Sequence, residues 1–306
     1  MHELRLDRPV DVTDLDLPWD MRRPKEGEAT LRRLLLEVGT ATPEDSARSI
    51  EILTQIARAE ALQGKVSDAE RTLIQAEKAL PSVTALAPRL RILLERGRLL
   101  TTARTPMQAR ERFLEVWGLA KDLPSAAHFA IDAANMMSRI ETPKKRNEWT
   151  LLALALAEQS SDPRARRWRG VLFVSLGWHL LEQLQLPKAI EAFEKSVSCF
   201  REEGATLNTI IARSYIGRTM RMMHRIDEAL TLQQELLLEM NREGVKDGTI
   251  NEELAECLHA LKRPTEAEVY FTRAYDLLSA DAGLVDQEPS RLKRLKTLGR
   301  VKTVHN

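Results

Sequence analysis

Aromatic residues make up only 5% of this 306-residue chain, and cysteine occurs just twice, at Cys199 and Cys257. Two thiols so far apart, with no CxxC pair and no histidine at zinc-finger spacing, exclude a disulfide scaffold and a local zinc site, and favour a reduced, cytoplasmic setting. The charged N-terminus has no apolar segment of a secretory signal. Long apolar runs are also missing: LLALALA at 151–157 and VLFVSLGWHLL at 171–181 fall short of the roughly 18 to 20 residues that span a bilayer, so no membrane role is expected. Lys and Arg number 46 against 45 for Asp and Glu, so no overall field draws the chain to a polyanion, and any charge argument is local. The six histidines form no HExxH or other metal set, and no GxGxxG, GxxxxGK[ST] or GxSxG appears. Glu202 and Glu203 read as a solvated pair at a helix end. No catalytic residue, metal or cofactor is expected.

Leu, Ala, Glu, Arg and Lys dominate, all good helix formers, which predicts an all-α fold. A repeat runs through it. SDAERTL, MQARERF, PKAIEAF, DEALTLQ and TEAEVYF align on Ala69, Ala109, Ala189, Ala229 and Ala267, and twelve residues upstream stand Ala57, Gly97, Gly177, Gly217 and Ala255. A degenerate unit has Ala134 at the first small position and Arg146 in place of the anchor Ala. The intervals between upstream small residues are 40, 37, 43, 40 and 38. Small residues at two such places let antiparallel helices approach closely, and Phe113, Phe193 and Phe271, four residues after their Ala, fill the layer beside them. Leu73 takes that place in the first repeat. Pro106, Pro143, Pro187 and Pro264 precede the second-helix anchor, where the first turn tolerates proline. Pro81, Pro124 and Pro163 punctuate the gaps between repeats. RARRWRGVLFVSLGWHLL, residues 164–181, becomes the entry and body of one first helix, with Arg167 and Trp168 at its entrance.

This pattern, with Leu176 and Gly177, then Ala189, then Phe193, resembles that of the tetratricopeptide repeat family, at a unit longer than its usual 34 residues. Repeats of this length resemble those of the bacterial maltose activator and of the Rap and PlcR regulators. The resemblance implies a right-handed α-solenoid of about six helix-turn-helix units over residues 43–284, preceded by an N-terminal arm over 1–42 and followed by a capping helix and basic tail over 285–306. Within the arm, Glu28 to Val38 could form a short helix, and Leu17 and Trp19 either pin the arm onto the first repeat or leave it mobile. PSRLKRLKTLGRVK, with Leu292, Leu295 and Leu298 at helical spacing, reads as a cap or as a basic interaction tail.

In the family, the residue after the upstream small position lines the concave side. Here that column is Arg58, Arg98, Asn135, Trp178, Arg218 and Glu256, and one helical turn away lie Arg91, Arg139, Tyr215, Arg221, Glu252 and His259. The expected groove is basic for most of its length and acidic at one end. Guanidinium groups grip carboxylates through paired hydrogen bonds, and Trp178 and Tyr215 would offer flat contact, which points to an acidic peptide. Alternatively, the arginines pair with Glu and Asp of adjacent repeats. A carboxylate clamp of the chaperone-binding kind is not expected, since Thr54, Leu94, Val174 and Ser214 stand where its Lys would be. The functional expectation is a non-catalytic protein- or peptide-binding scaffold of open oligomeric state, with two alternatives: a sensor module for a signal peptide or small ligand, and a weak nucleic-acid binder.

Overall fold

The computed structural model describes residues 23–39, 42–280, 284–285 and 288–301. Residues 1–22 of the arm expected over 1–42, with Leu17 and Trp19, and the last five residues of the basic end lie outside them. Among the described residues every regular element is a helix: α1 Pro24–Glu37, α2 Pro43–Leu62, α3 Val66–Ala79, α4 Leu86–Thr102, α5 Pro106–Ala120, α6 Ala127–Ile140, α7 Pro143–Gln159, α8 Pro163–Arg166, α9 Trp168–Glu182, α10 Leu186–Glu202, α11 Thr206–Met222, α12 Ile226–Arg242, α13 Gly248–Ala260, α14 Pro264–Leu278 and α15 Pro289–Leu298. The chain divides into two compact units, with the boundary inside α9 between Leu172 and Phe173.

The six predicted repeats are the hairpins α2–α3, α4–α5, α6–α7, α9–α10, α11–α12 and α13–α14. The small residues do what their spacing requires. A Cβ built on Gly97 would sit 2.5 Å from Phe113 Cε1, and one on Gly217 would sit 2.6 Å from Gln233 Nε2; Gly177 stands against Phe193 in the same way. Phe113, Phe193 and Phe271 are all buried. In the degenerate repeat Thr150 replaces the phenylalanine, and Arg146 turns back so that its Nε donates to the Glu141 carbonyl, 3.0 Å away.

Proline opens α2, α5, α7, α10 and α14 within the first turn, where its missing N–H has no intrahelical partner. Pro24 does the same for α1, which therefore starts before Glu28. Thr42 and Asp45 cap α2 reciprocally: Asp45 N–H donates to Thr42 Oγ1 and Thr42 N–H to the Asp45 carboxylate. Five first helices end alike. Gly64, Arg104, Leu184, His224 and Lys262 take left-handed conformations with φ between 58° and 76°. The next residue's N–H then donates back to the carbonyl of Glu60, Leu100, Leu180, Met220 or Leu258, which satisfies an otherwise orphaned acceptor.

In the first unit α1 packs on α2, and α2, α4 and α6 stack as successive first helices, backed by α3 and α5. In the second, α10 packs on α11, α12 on α13, and α15 closes on α14. Leu292 and Leu295 of α15 join the core of α13 and α14. One sequence expectation needs correction: Arg164 to Arg167 do not enter α9. Asp162 caps the separate short helix α8 by accepting from Arg164 N–H at 2.9 Å, and α9 starts at Trp168, which is buried.

Candidate functional site

Three first helices of the first unit present a polar face at helical spacing: Glu51 and Arg58 on α2, Arg91, Glu95 and Arg98 on α4, and His128, Asp132, Asn135 and Arg139 on α6. Residues three, four and seven apart share a side of a helix. The charges alternate across the helices. Arg58 Nη1 lies 3.5 Å from Glu95 Oε1 and Arg91 Nε 3.8 Å from Glu51 Oε2. Arg98 reaches Glu95 at 2.5 Å and grips both oxygens of Asp132 through Nη2 at 2.6 and 2.5 Å. Arg91 is buried with its guanidinium 5.1 Å from the centre of the Phe129 ring. Burial lowers its pKa to about 10, only partly offset by Glu95 and Asp132. His128, at the start of α6, is 7% exposed, and neither ring nitrogen has a well-formed hydrogen bond among the described residues; its Nδ1 stops 3.6 Å from Asp162 Oδ2. Burial, with the Arg164 and Arg91 charges, pushes its pKa down to about 4, so the ring is neutral near pH 7. Asn135 is buried too, and its Oδ1 has no partner among the described residues.

The second unit repeats the motif with different residues. Arg218 Nη1 lies 3.2 Å from Glu253 Oε1, and Arg221 donates to Glu253 Oε2 from Nε and Nη2 at 3.0 and 2.8 Å. Burial alone would raise the Glu253 pKa, but the Arg221 and Arg218 charges outweigh it and hold the carboxyl ionised. Arg291 of α15 donates to Glu252, with Nε at 3.0 Å from Oε2, and Arg294 pairs with Glu256. His259 is exposed beside a hollow of about 450 Å³ that Lys293, Arg294 and Thr297 also line.

Two expectations fail here. Trp178 and Tyr215, expected as open contact surface, are 1% and 3% exposed. Their rings lie 5.0 Å apart edge to face, Phe193 lies 6.3 Å from Trp178, and Arg218 covers the indole at 5.1 Å. They form core, because the residue after Gly177 turns toward Phe193 and α11. The face is also not a bare basic strip ending in acid, since Glu252 and Glu256, the supposed acidic end, are met by the arginines of α15. The sequence reading missed Glu51, Glu95, Asp132, Glu253, Arg291 and Arg294. Glu95 and Asp132 each lie three residues before a named column position, and stepping one turn back along each helix would have found them.

No protein-family model and no curated protein matches this sequence. Solved structures do. A tetratricopeptide repeat protein from Parabacteroides merdae superposes with a TM-score of 0.53 at 13% identity, over 90% of this chain and 92% of that one. The apo form of RapI gives 0.61 at 12% identity, over 92% of this chain and 78% of that one. A signal-transduction ATPase with a tetratricopeptide repeat sensor, from Pyrococcus horikoshii, gives 0.59 at 15% identity, over 92% of this chain but 43% of that one. At these identities the likeness shows the fold: the chain is an all-α solenoid of tetratricopeptide-like hairpins.

Proposed function

We propose that the chain is a non-catalytic repeat module that binds a protein or an extended peptide along its first-helix faces, with acidic sequences preferred. The observation that carries this reading is a row of guanidinium groups along the first-helix faces of both units. Arg58, Arg91 and Arg98 lie against Glu51, Glu95 and Asp132 in the first, and Arg218, Arg221, Arg291 and Arg294 lie against Glu252, Glu253, Glu256 and Glu288 in the second. A ligand carboxylate takes over the two-oxygen contact that Asp132 now offers Arg98 Nη2. Most of its other contacts exchange an existing ion pair for a new one, so affinity is modest and falls with salt. The setting that goes with this proposal is the cytoplasm, where Cys199 and Cys257 stay as buried free thiols.

A sensor reading has an observation of its own. Arg58–Glu95 ties α2 to α4, Arg98–Asp132 ties α4 to α6, and Arg221–Glu253 ties α11 to α13. A ligand that exchanges these pairs also changes what holds successive hairpins at their present spacing, which couples occupancy to curvature within a unit. Nucleic-acid binding is disfavoured by the same pairs, because most of the cations are already neutralised locally.

Immobilised acidic, neutral and basic peptides of equal length, presented to the full chain at two salt concentrations, test the proposal. Acidic peptides are expected to bind and the Arg58→Gln, Arg98→Gln double variant to lose about tenfold, the equivalent of roughly 1.4 kcal/mol, while its helical circular-dichroism melt stays cooperative. Equal retention of basic peptides, or unchanged binding by the folded variant, would overturn it.

A further inference from the structure

The apolar run LLALALA at 151–157 is used only in part inside its hairpin. Thr150, Ala153, Leu154 and Ala157 are buried in α7, which packs on α6. Leu151 and Leu152 lie on the other side and stand 46% and 48% exposed. Counted from the anchor of each second helix, the same two places hold Glu194 and Lys195 in α10, Gln234 and Glu235 in α12, and Thr272 and Arg273 in α14. An isolated exposed leucine is ordinary on a protein surface, but these two sit at the centre of an ordered stripe. Exposed residues run from Lys144 and Lys145 through Glu148 and Ala155 to Glu158 and Gln159, in steps of three and four that keep them on one side of the helix.

The charges of this stripe oppose their own helix. Lys144 and Lys145 occupy the first turn of α7 and Glu158 the last, whereas a helix favours anions at its N-terminus and cations at its C-terminus. α12 has the favourable order, with Asp227 and Glu228 in its first turn and Arg242 in its last. Among the described residues neither Lys145 nor Glu158 has an ion-pair partner.

We propose that α7 pairs, antiparallel, with α7 of a second copy of this chain about a two-fold axis between Leu151 and Leu152. In a two-fold contact, where residue i meets j, j also meets i. With the axis so placed, Leu151 meets Leu152, Lys145 meets Glu158, Lys144 meets Gln159 and Glu148 lies over Ala155, each contact made once from either copy. Ala155 leaves room for the Glu148 stem, whose carboxylate stays in water. Lys145 and Glu158 are separated by about 20 Å of helix at ~1.5 Å per residue, so each charge reaches the end of the opposing helix whose dipole favours it. Parallel pairing would instead set Lys145 against Lys145 and Glu158 against Glu158. One helix pair covers less than the ~1,600 Å² of a standard interface, so the dimer is weak and concentration-dependent. The pairing does not depend on the peptide-binding reading. It leaves the polar face of α2, α4 and α6 open, because the stripe lies on the side of α7 away from α6, and on that reading a dimer offers two such faces to one ligand.

Sedimentation equilibrium of the full chain, over a concentration series up to its solubility limit, tests the inference. A reversible monomer–dimer equilibrium in the micromolar to sub-millimolar range is expected. Leu151→Gln with Leu152→Gln should weaken it at least about tenfold, while the helical circular-dichroism melt keeps its midpoint because both side chains are exposed. Lys145→Glu alone sets like charges together at both ends and should weaken it about three- to tenfold at low salt; adding Glu158→Lys should restore it to within about twofold. A chain that stays monomeric throughout would overturn the inference and leave the stripe to a helix of another protein. A dimer insensitive to the leucine substitutions would overturn it too, and so would a charge swap that fails to recover what Lys145→Glu loses.

Discussion

Replacing Gly97 by alanine tests the packing rule on which every hairpin depends. The new Cβ would lie 2.5, 2.7 and 3.0 Å from Phe113 Cε1, Cζ and Cδ1, whereas carbon atoms pack at about 3.5 to 4.0 Å. The ring must retreat by about 1 Å. It has little room, because Phe113 is fully buried among Leu94, Ala109, Val116, Ala130 and Ala133. Overpacking of this kind costs about 1 to 3 kcal/mol, and an enclosed ring places it in the upper half. Against that stands the better helix propensity of alanine, worth about 1 kcal/mol over glycine. The net expectation is a loss of about 1 to 2 kcal/mol.

The first hairpin supplies the control, since it pairs Ala57 with Leu73. Gly97→Ala with Phe113→Leu recreates that pair, so the two substitutions should compensate by at least about 1 kcal/mol relative to their sum, well outside the ~0.3 to 0.5 kcal/mol scatter of independent sites. Urea unfolding followed by tryptophan fluorescence reports on the right unit, because Trp117 and Trp149 stack edge to face at 5.4 Å against the Phe113 cluster. Ala255 coexists with Phe271 in the last hairpin, so the clash belongs to where the 113 ring lies and not to phenylalanine as such. Additive effects in the cycle, or a Gly97→Ala chain as stable as the original, would refute the reasoning.

Three further outcomes are expected. His128 has a folded pKa of about 4 against an ordinary value near 6.5, so the unfolded chain takes up the proton first, and stability is complete above pH 6.5 and is lost as the pH falls toward 4. Between pH 7 and 5 this amounts to about 2 kcal/mol; urea melts of His128→Leu at the two values should lack that share, and an identical pH dependence in both chains would contradict it. Leu184, 71% exposed with φ 58° at the α9–α10 turn, should give way to glycine with a gain of roughly 0.5 to 1 kcal/mol, since the left-handed strain exceeds the added chain entropy; a lower melting temperature would count against this. Trp178→Ala is expected to cost about 3 to 5 kcal/mol of folding stability, whereas an exposed contact residue would cost less than about 1 kcal/mol, and chemical denaturation separates the two.

Periodicity made the hairpins legible. Ala57 to Ala267 recur because two helices cannot approach through bulky side chains, and that constraint is one of spacing, which a sequence displays directly. The short helix α8 was not legible in the same way: Pro163 and the arginines after it satisfy a first helix's entry equally well, and only the Asp162 cap separates them. The candidate site was half legible for a related reason. Helical spacing assigns a residue to a side of its helix, but a side has two margins, and whether Trp178 faces out or toward Phe193 depends on a few tens of degrees of rotation set by the neighbouring hairpin. Charge partners are less legible still. Arg98 and Asp132 are 34 positions apart, near one repeat length, so the pair exists only once the hairpins stack. Any column of like charges read from a solenoid sequence therefore has to be weighed with the columns one helical turn to either side, because in a stacked array those positions, and not the column itself, decide how much charge a ligand meets.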